Sequence, residues 1–142
     1  MANPLINTHF QVEWGGTRIG FEEVSNLKLS ATILEYREGS NPENTTRKIP
    51  GSIKHHNIVL RRGVVQGDNE FFQWWNTIQM NVVERRDIVI SLLNENHEPV
   101  IVWKVRNAFP AVLEWSKLHA TEESIFIETL EIAHDGMSVE HR

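Results

Sequence analysis

The residues of this chain best suited to chemistry are its histidines and its adjacent carboxylates. His55 and His56 form the one neighbouring histidine pair, and imidazoles are common zinc ligands. Adjacent residues on an extended strand point to opposite faces, so this pair does not readily share a metal. His134 is followed by Asp135 and Gly136, turn chemistry that reads as a strand terminus. Glu22–Glu23 and Glu122–Glu123 are the paired carboxylates, and they read as rim charges rather than as an acid–base pair. There is no glycine-rich phosphate loop, nucleophile elbow or metalloprotease helix motif. The sequence contains 0 cysteines, which excludes a disulfide framework, a thiolate zinc site and a cysteine nucleophile. The expectation is therefore no catalytic residue, no cofactor and no metal: not an enzyme.

The elements that carry these residues are mostly strands. At 142 residues the chain fits one domain, 1–142, with enough length to bury a core without covalent staples. Apolar residues make up 40% and charged residues 23%, the balance of an ordinary globular domain. Met1 to Phe10 has neither a basic stretch nor an apolar run, so no secretory signal is expected. No apolar segment approaches the roughly 20 residues that span a bilayer, and no membrane anchor is expected.

His9–Trp14 alternates Phe10, Val12 and Trp14 with polar residues, and Gly15-Gly16 supplies a hairpin turn before Arg18–Glu22. Leu27–Tyr36 sets Leu27, Leu29, Ala31 and Ile33 against Lys28, Ser30 and Thr32, and Ile58 and Leu60 repeat the pattern. Between these strands, Arg37–Lys54 contains Gly39, Pro42, Pro50 and Gly51 and predicts an extended loop. Loops of that length inside a compact domain are uncommon and usually functional or disordered.

One helix is predicted over Asn69–Met80, capped by Asp68, with Phe71, Trp74, Trp75 and Ile78 as a core-packing face. The second half returns to strands: Ile88–Leu92, a polar turn at Asn94–Pro99, Val100–Val105, a break at Asn107–Pro110, Ala111–Lys117, and a last strand Ser124–His134. About eight strands and one helix predict a mainly β protein, an antiparallel barrel or sandwich with a packed helix.

Charge is unevenly spread. The chain has 14 basic and 19 acidic residues for a net charge of −5, which argues against general nucleic-acid binding. Arg37, Arg47, Lys48, Lys54, Arg61 and Arg62 outweigh Glu38 and Glu43 in the middle, whereas Ala111–Arg142 holds only Lys117 and Arg142 against seven acids.

The order of several short motifs resembles the inner tube (tail-tube) proteins of contractile phage tails and extracellular contractile injection systems. The matching pieces are Phe10-Gln11-Val12, Gly20-Phe21-Glu22-Glu23-Val24-Ser25 with Leu27, and Glu35-Tyr36-Arg37-Glu38-Gly39. Lys48-Ile49-Pro50-Gly51, Leu60-Arg61-Arg62-Gly63 and Phe72-Gln73-Trp74-Trp75 follow. The set ends with Trp103–Pro110 and Ile127–His134. No single piece is specific, but the ordered set spans nearly the whole chain. Two positions depart from the pattern: Asn26 stands where the family often has glycine, and Phe109 where a tryptophan often precedes the proline.

The resemblance implies a ring-shaped hexamer. Its rings stack head to tail into a hollow tube inside a sheath protein, with baseplate, spike and terminator proteins at the ends and cargo or DNA in the lumen. It also implies assembly in the bacterial cytoplasm and a final place in a virion or an extracellular particle. Combined with strand parity, it places Lys28, Ser30, Thr32, Asn57, Arg61, Glu114, Ser116, Thr129 and Glu131 on the lumen. The loop residues Arg37, Glu38, Asn41, Glu43, Arg47, Lys48 and Lys54 become contacts to a neighbouring ring, with Glu122 and Glu123 as the acidic side. Two alternatives remain: a secreted hexameric ring of the type VI haemolysin-coregulated kind, and a small β-barrel ligand-binding protein.

Overall fold

A computed structural model describes residues 3–16, 20–37, 39–40 and 46–142. Among these described residues, nine strands and one helix follow in order: β1 (Phe10–Glu13), β2 (Glu23–Ser25), β3 (Leu29–Tyr36), β4 (Arg47–His55), β5 (Ile58–Gly63), α1 (Glu70–Gln79), β6 (Arg86–Leu93), β7 (Pro99–Trp115), β8 (Ile127–Ala133) and β9 (Gly136–His141). A seven-stranded antiparallel sheet runs β1-β6-β7-β8-β5-β2, with β9 also on β7. β3 and β4 pair only with each other among the described residues.

Strand β7 organises the fold. Asn107–Pro110 does not break it, contrary to the sequence expectation; the strand runs on for 17 residues. Asn107 takes the left-handed conformation at φ 53°, and the register slips between Pro110 and Val112. A bulge of this kind bends a strand without ending it. Before the bend β7 pairs with β6 and β9, and after it with β8. The backbone N–H of Asn107 donates to Asp87 (3.0 Å) and its side-chain amide to Asp135 (3.1 Å), fixing the corner. The last strand expected over Ser124–His134 is the shorter β8, and the chain turns opposite the same corner into a further strand, β9, that the sequence reading did not anticipate.

The bend produces two layers that share β7, and the core lies between them. Ile88, Ile90, Val105 and Trp14 come from one layer, Ile58, Leu60, Leu130 and Ile132 from the other, and Phe71 and Trp74 from α1. Phe71 and Trp74 are buried as expected, whereas Trp75 and Ile78 are only half-buried. The helix is one residue shorter at each end than the pattern predicted. Its N-cap Asn69 makes no side-chain cap bond, and the Glu70 N–H instead donates to Asp68 Oδ1 at 3.1 Å. The layers do not close into a barrel, since β1 and β2 are opposite ends of the strand path. Arg18 and Ile19 of the expected second strand lie outside the described residues, and pairing begins only at Glu23.

Candidate functional site

Within the segment Arg37–Lys54, expected to be an irregular loop, Arg47–Lys54 are strand. Arg47 to His55 forms β4 and pairs antiparallel with β3, from Tyr36↔Arg47 to Leu29↔His55. Pro50 and Gly51 suggested loop, yet Pro50 is tolerated because β4 has β3 on one side only. Gly51 sits at the register shift between Ala31 and Ile33, where a Cβ would meet the Thr32 hydroxyl. Glu38, Asn41 and Glu43 lie outside the described residues. Arg37, Arg47, Lys48 and Lys54 are exposed, the last three on β4.

Register divides this hairpin into two faces with opposite patterns. Near its root, one face carries Leu29, Ala31, Ile33, Pro50 and Ile53, while the other carries Ser30, Thr32 and Lys54. Toward the tip the chemistry exchanges: Glu35 and Lys48 continue the first face, and Leu34, Tyr36 and Ile49 continue the second. The apolar residues do not enter the core. Leu29 is 58%, Ile33 62% and Ile53 69% exposed, while Ser30 and Thr32 are half-buried. The expected burial is thus inverted, because no described residue covers the apolar face at the root of the hairpin.

The second surface is the outer face of β2-β5-β8-β7. Glu23, Arg61, Thr129 and Glu114 occupy one row across the four strands, with Val59, Glu131 and Val112 in the next. Arg61 donates to Thr129 Oγ1 at 3.3 Å and to Glu23 Oε2 at 3.4 Å. The structure therefore brings Arg61, Glu114, Thr129 and Glu131 together. Lys28, Asn57 and Ser116 lie beside strands rather than on them. The Asn57 carbonyl accepts from the Asn26 amide at 2.5 Å, and the Ser116 hydroxyl accepts from the Ile127 N–H at 3.0 Å. Glu122 and Glu123 are exposed in the loop after β7, where Glu122 is 3.9 Å from Lys117.

Strand parity placed two charged groups, Arg62 and Glu128, inside the molecule. Arg62, counted above with the basic middle, is 1% exposed. Its Nε donates to Glu128 at 2.7 Å, its Nη2 to Asp68 at 3.2 Å, and its guanidinium carbon lies 3.9 Å from the centre of the Phe71 ring. Arg62 shares the face of Ile58 and Leu60, and its register partner Glu128 shares that of Leu130 and Ile132. That alternation was the available signal.

Two sheet layers, a flanking helix and a projecting arm with unburied apolar surface define a subunit made to be completed by others. Residues 6–138 match the family of the T4-like virus tail tube protein gp19. The chain belongs to this family and is a tail tube protein. A chain of the PVC sheath–tube complex, an extracellular contractile injection system in its extended state, is 36% identical with a TM-score of 0.88, over 98% of this chain and 93% of that one. A chain of the anti-feeding prophage tube-terminating cap is 33% identical with a TM-score of 0.90, over 100% of this chain and 94% of that one. Hcp1 from Flavobacterium johnsoniae shares the fold at 16% identity and a TM-score of 0.57, over 94% of this chain and 95% of that one. The type VI kind is thus the more distant likeness. No curated protein matches the chain.

Proposed function

We propose that this tail tube protein forms hexameric rings that stack head to tail into a hollow tube within a contractile sheath. A terminator closes one end, a baseplate and spike occupy the other, and cargo or DNA travels in the lumen. The observation that carries this reading is the projecting β3–β4 hairpin, whose Leu29, Ile33 and Ile53 are exposed in the single subunit. Burying such residues contributes roughly 1.5–3 kcal/mol each, and a neighbouring copy supplies the missing surface. The apolar face at the root suits a neighbour in the same ring. The apolar tip on the opposite face, with Arg37, Arg47 and Lys48 around it, suits a copy in the next ring.

The polar row of Arg61, Thr129 and Glu114, with Glu131 beside it, is the proposed lumen lining. Lys54 with Glu122 and Glu123 forms the weaker part of the inter-ring contact, since exposed pairs contribute only about 0–1 kcal/mol each. Assembly takes place in the bacterial cytoplasm, and the mature tube belongs to an extracellular particle or a virion. No reaction is assigned to the subunit.

Electron microscopy and native mass measurement of the untagged protein test the reading. Six-membered rings or tubes are the expected result, and monomers alone at high concentration would count decisively against it. Shortening the connection between Tyr36 and Arg47 should leave rings but abolish long tubes.

A further inference from the structure

The sheet β2-β5-β8-β7 has two ends with different attachments. Register puts Ser25, Ile58 and Pro110 near one end, and Gly63, Ile127 and Trp115 near the other. The β3–β4 arm leaves the first end, since β3 follows Ser25 and β4 runs into Ile58 through His56 and Asn57. The connection 116–126 closes the second end, between β7 and β8.

That connection is hydrogen-bonded into a fixed shape. The Ser116 N–H donates to the Ile127 carbonyl at 2.8 Å and the Val64 N–H to the Phe126 carbonyl at 2.9 Å, so the sheet bonding continues into it. In its middle the Thr121 and Glu122 N–H groups both donate to His119 Nδ1 at 3.2 Å. Held this way, it leaves Leu118 87% and Ile125 78% exposed, with Val64 and Trp115 also exposed at the same end. A cluster of exposed apolar side chains rimmed by charge marks an interaction surface. The rim is acidic: Glu122 and Glu123 are both exposed, and Lys117, 3.9 Å from Glu122, is the one cation of the loop.

We propose that this surface is the receptor for the arm tip of a second copy. The tip carries the matching chemistry. Leu34, Tyr36 and Ile49 share one face and are exposed, and Arg37, Arg47 and Lys48 outnumber Glu35 among the described residues around them. An arm does not meet the receptor of its own chain, because the two stand at opposite ends of the sheet. The contact therefore joins different surfaces of identical chains, the heterologous kind that repeats from copy to copy without closing. The apolar groups exclude water from one another, while the carboxylates opposite the basic tip fix the orientation of docking more than its strength. The proposal rests on the tube reading and deepens it, by naming what the arm tip meets in the next ring.

The sequence contains 0 cysteines, so introduced thiols report this contact alone. Ile49→Cys and Leu118→Cys placed in one full-length chain, assembled and treated with a short bis-maleimide, should give a ladder of covalent multimers on a denaturing gel. Each cross-link joins the arm of one copy to the loop of the next, so the ladder runs along the stack. Either substitution alone should leave monomers; dimers from one of them would bring like surfaces together and overturn the head-to-tail contact. Electron microscopy of the same samples beside the wild type separates two failures. A wild type without rings or tubes overturns the tube reading and this contact with it, whereas tubes without a ladder overturn the contact alone. The double variant Leu118→Ser, Ile125→Ser gives a second readout at exposed positions. It should still form rings but no tubes, and tubes of wild-type length would overturn the proposal.

Discussion

Arg62 and Asn26 show how single residues carry this fold. Arg62 is buried against Phe71 and held by Glu128 and Asp68, so removing one partner strands a charge in the core. Glu128→Ala should cost about 3 kcal/mol in a urea melt, whereas replacing both residues by apolar ones of similar volume should cost far less. Asn26 has φ 64°, which accounts for the glycine often found at this position in the family: the left-handed region strains most side chains, and asparagine tolerates it best. Asn26→Ala should lower stability by about 1–2 kcal/mol, measured by thermal or chemical melting, and Asn26→Gly should be much milder.

At the scale of elements, the arm separates folding from assembly. Ile33→Ser and Ile53→Ser alter exposed positions, so they should shift subunit stability by no more than about 0.5 kcal/mol. Sedimentation should nevertheless show them defective in ring formation. The β3 alternation and the aromatic stripe of α1 were legible in the sequence because side-chain period follows backbone geometry directly. What β3 packs against was not legible, because alternation reports that a face is apolar and not which molecule covers it. Pro50 and Gly51 misled because they are loop formers in most contexts, yet an edge strand accepts proline and a bulge accepts glycine. Asn107-Ala108-Phe109-Pro110 misled similarly, since turn composition cannot distinguish a stop from a corner. Of the residues expected on the lumen, Arg61, Thr129 and Glu114 share one row of the sheet, whereas Lys28, Asn57 and Ser116 lie beside strand ends where alternation lapses.

For the whole molecule, acid acts at the margin. The Lys104 ammonium, which donates to Glu140 at 3.0 Å, holds that carboxyl below the ordinary glutamate range, with Arg142 adding to the effect. The folded state therefore favours ionised Glu140. The contribution is complete above the unfolded value and is lost as pH falls through the lower folded one. Acid titration should loosen the β7–β9 edge before the core, seen as earlier hydrogen exchange in β9, and Lys104→Gln should erase that order. The two layers also differ from an ordinary sandwich in how they are joined. Because β7 belongs to both, a pull on one layer reaches the other through covalent backbone rather than across side-chain packing. A subunit under lengthwise load is thus braced by its own chain, and shear between its halves must stretch a strand before it can part a core.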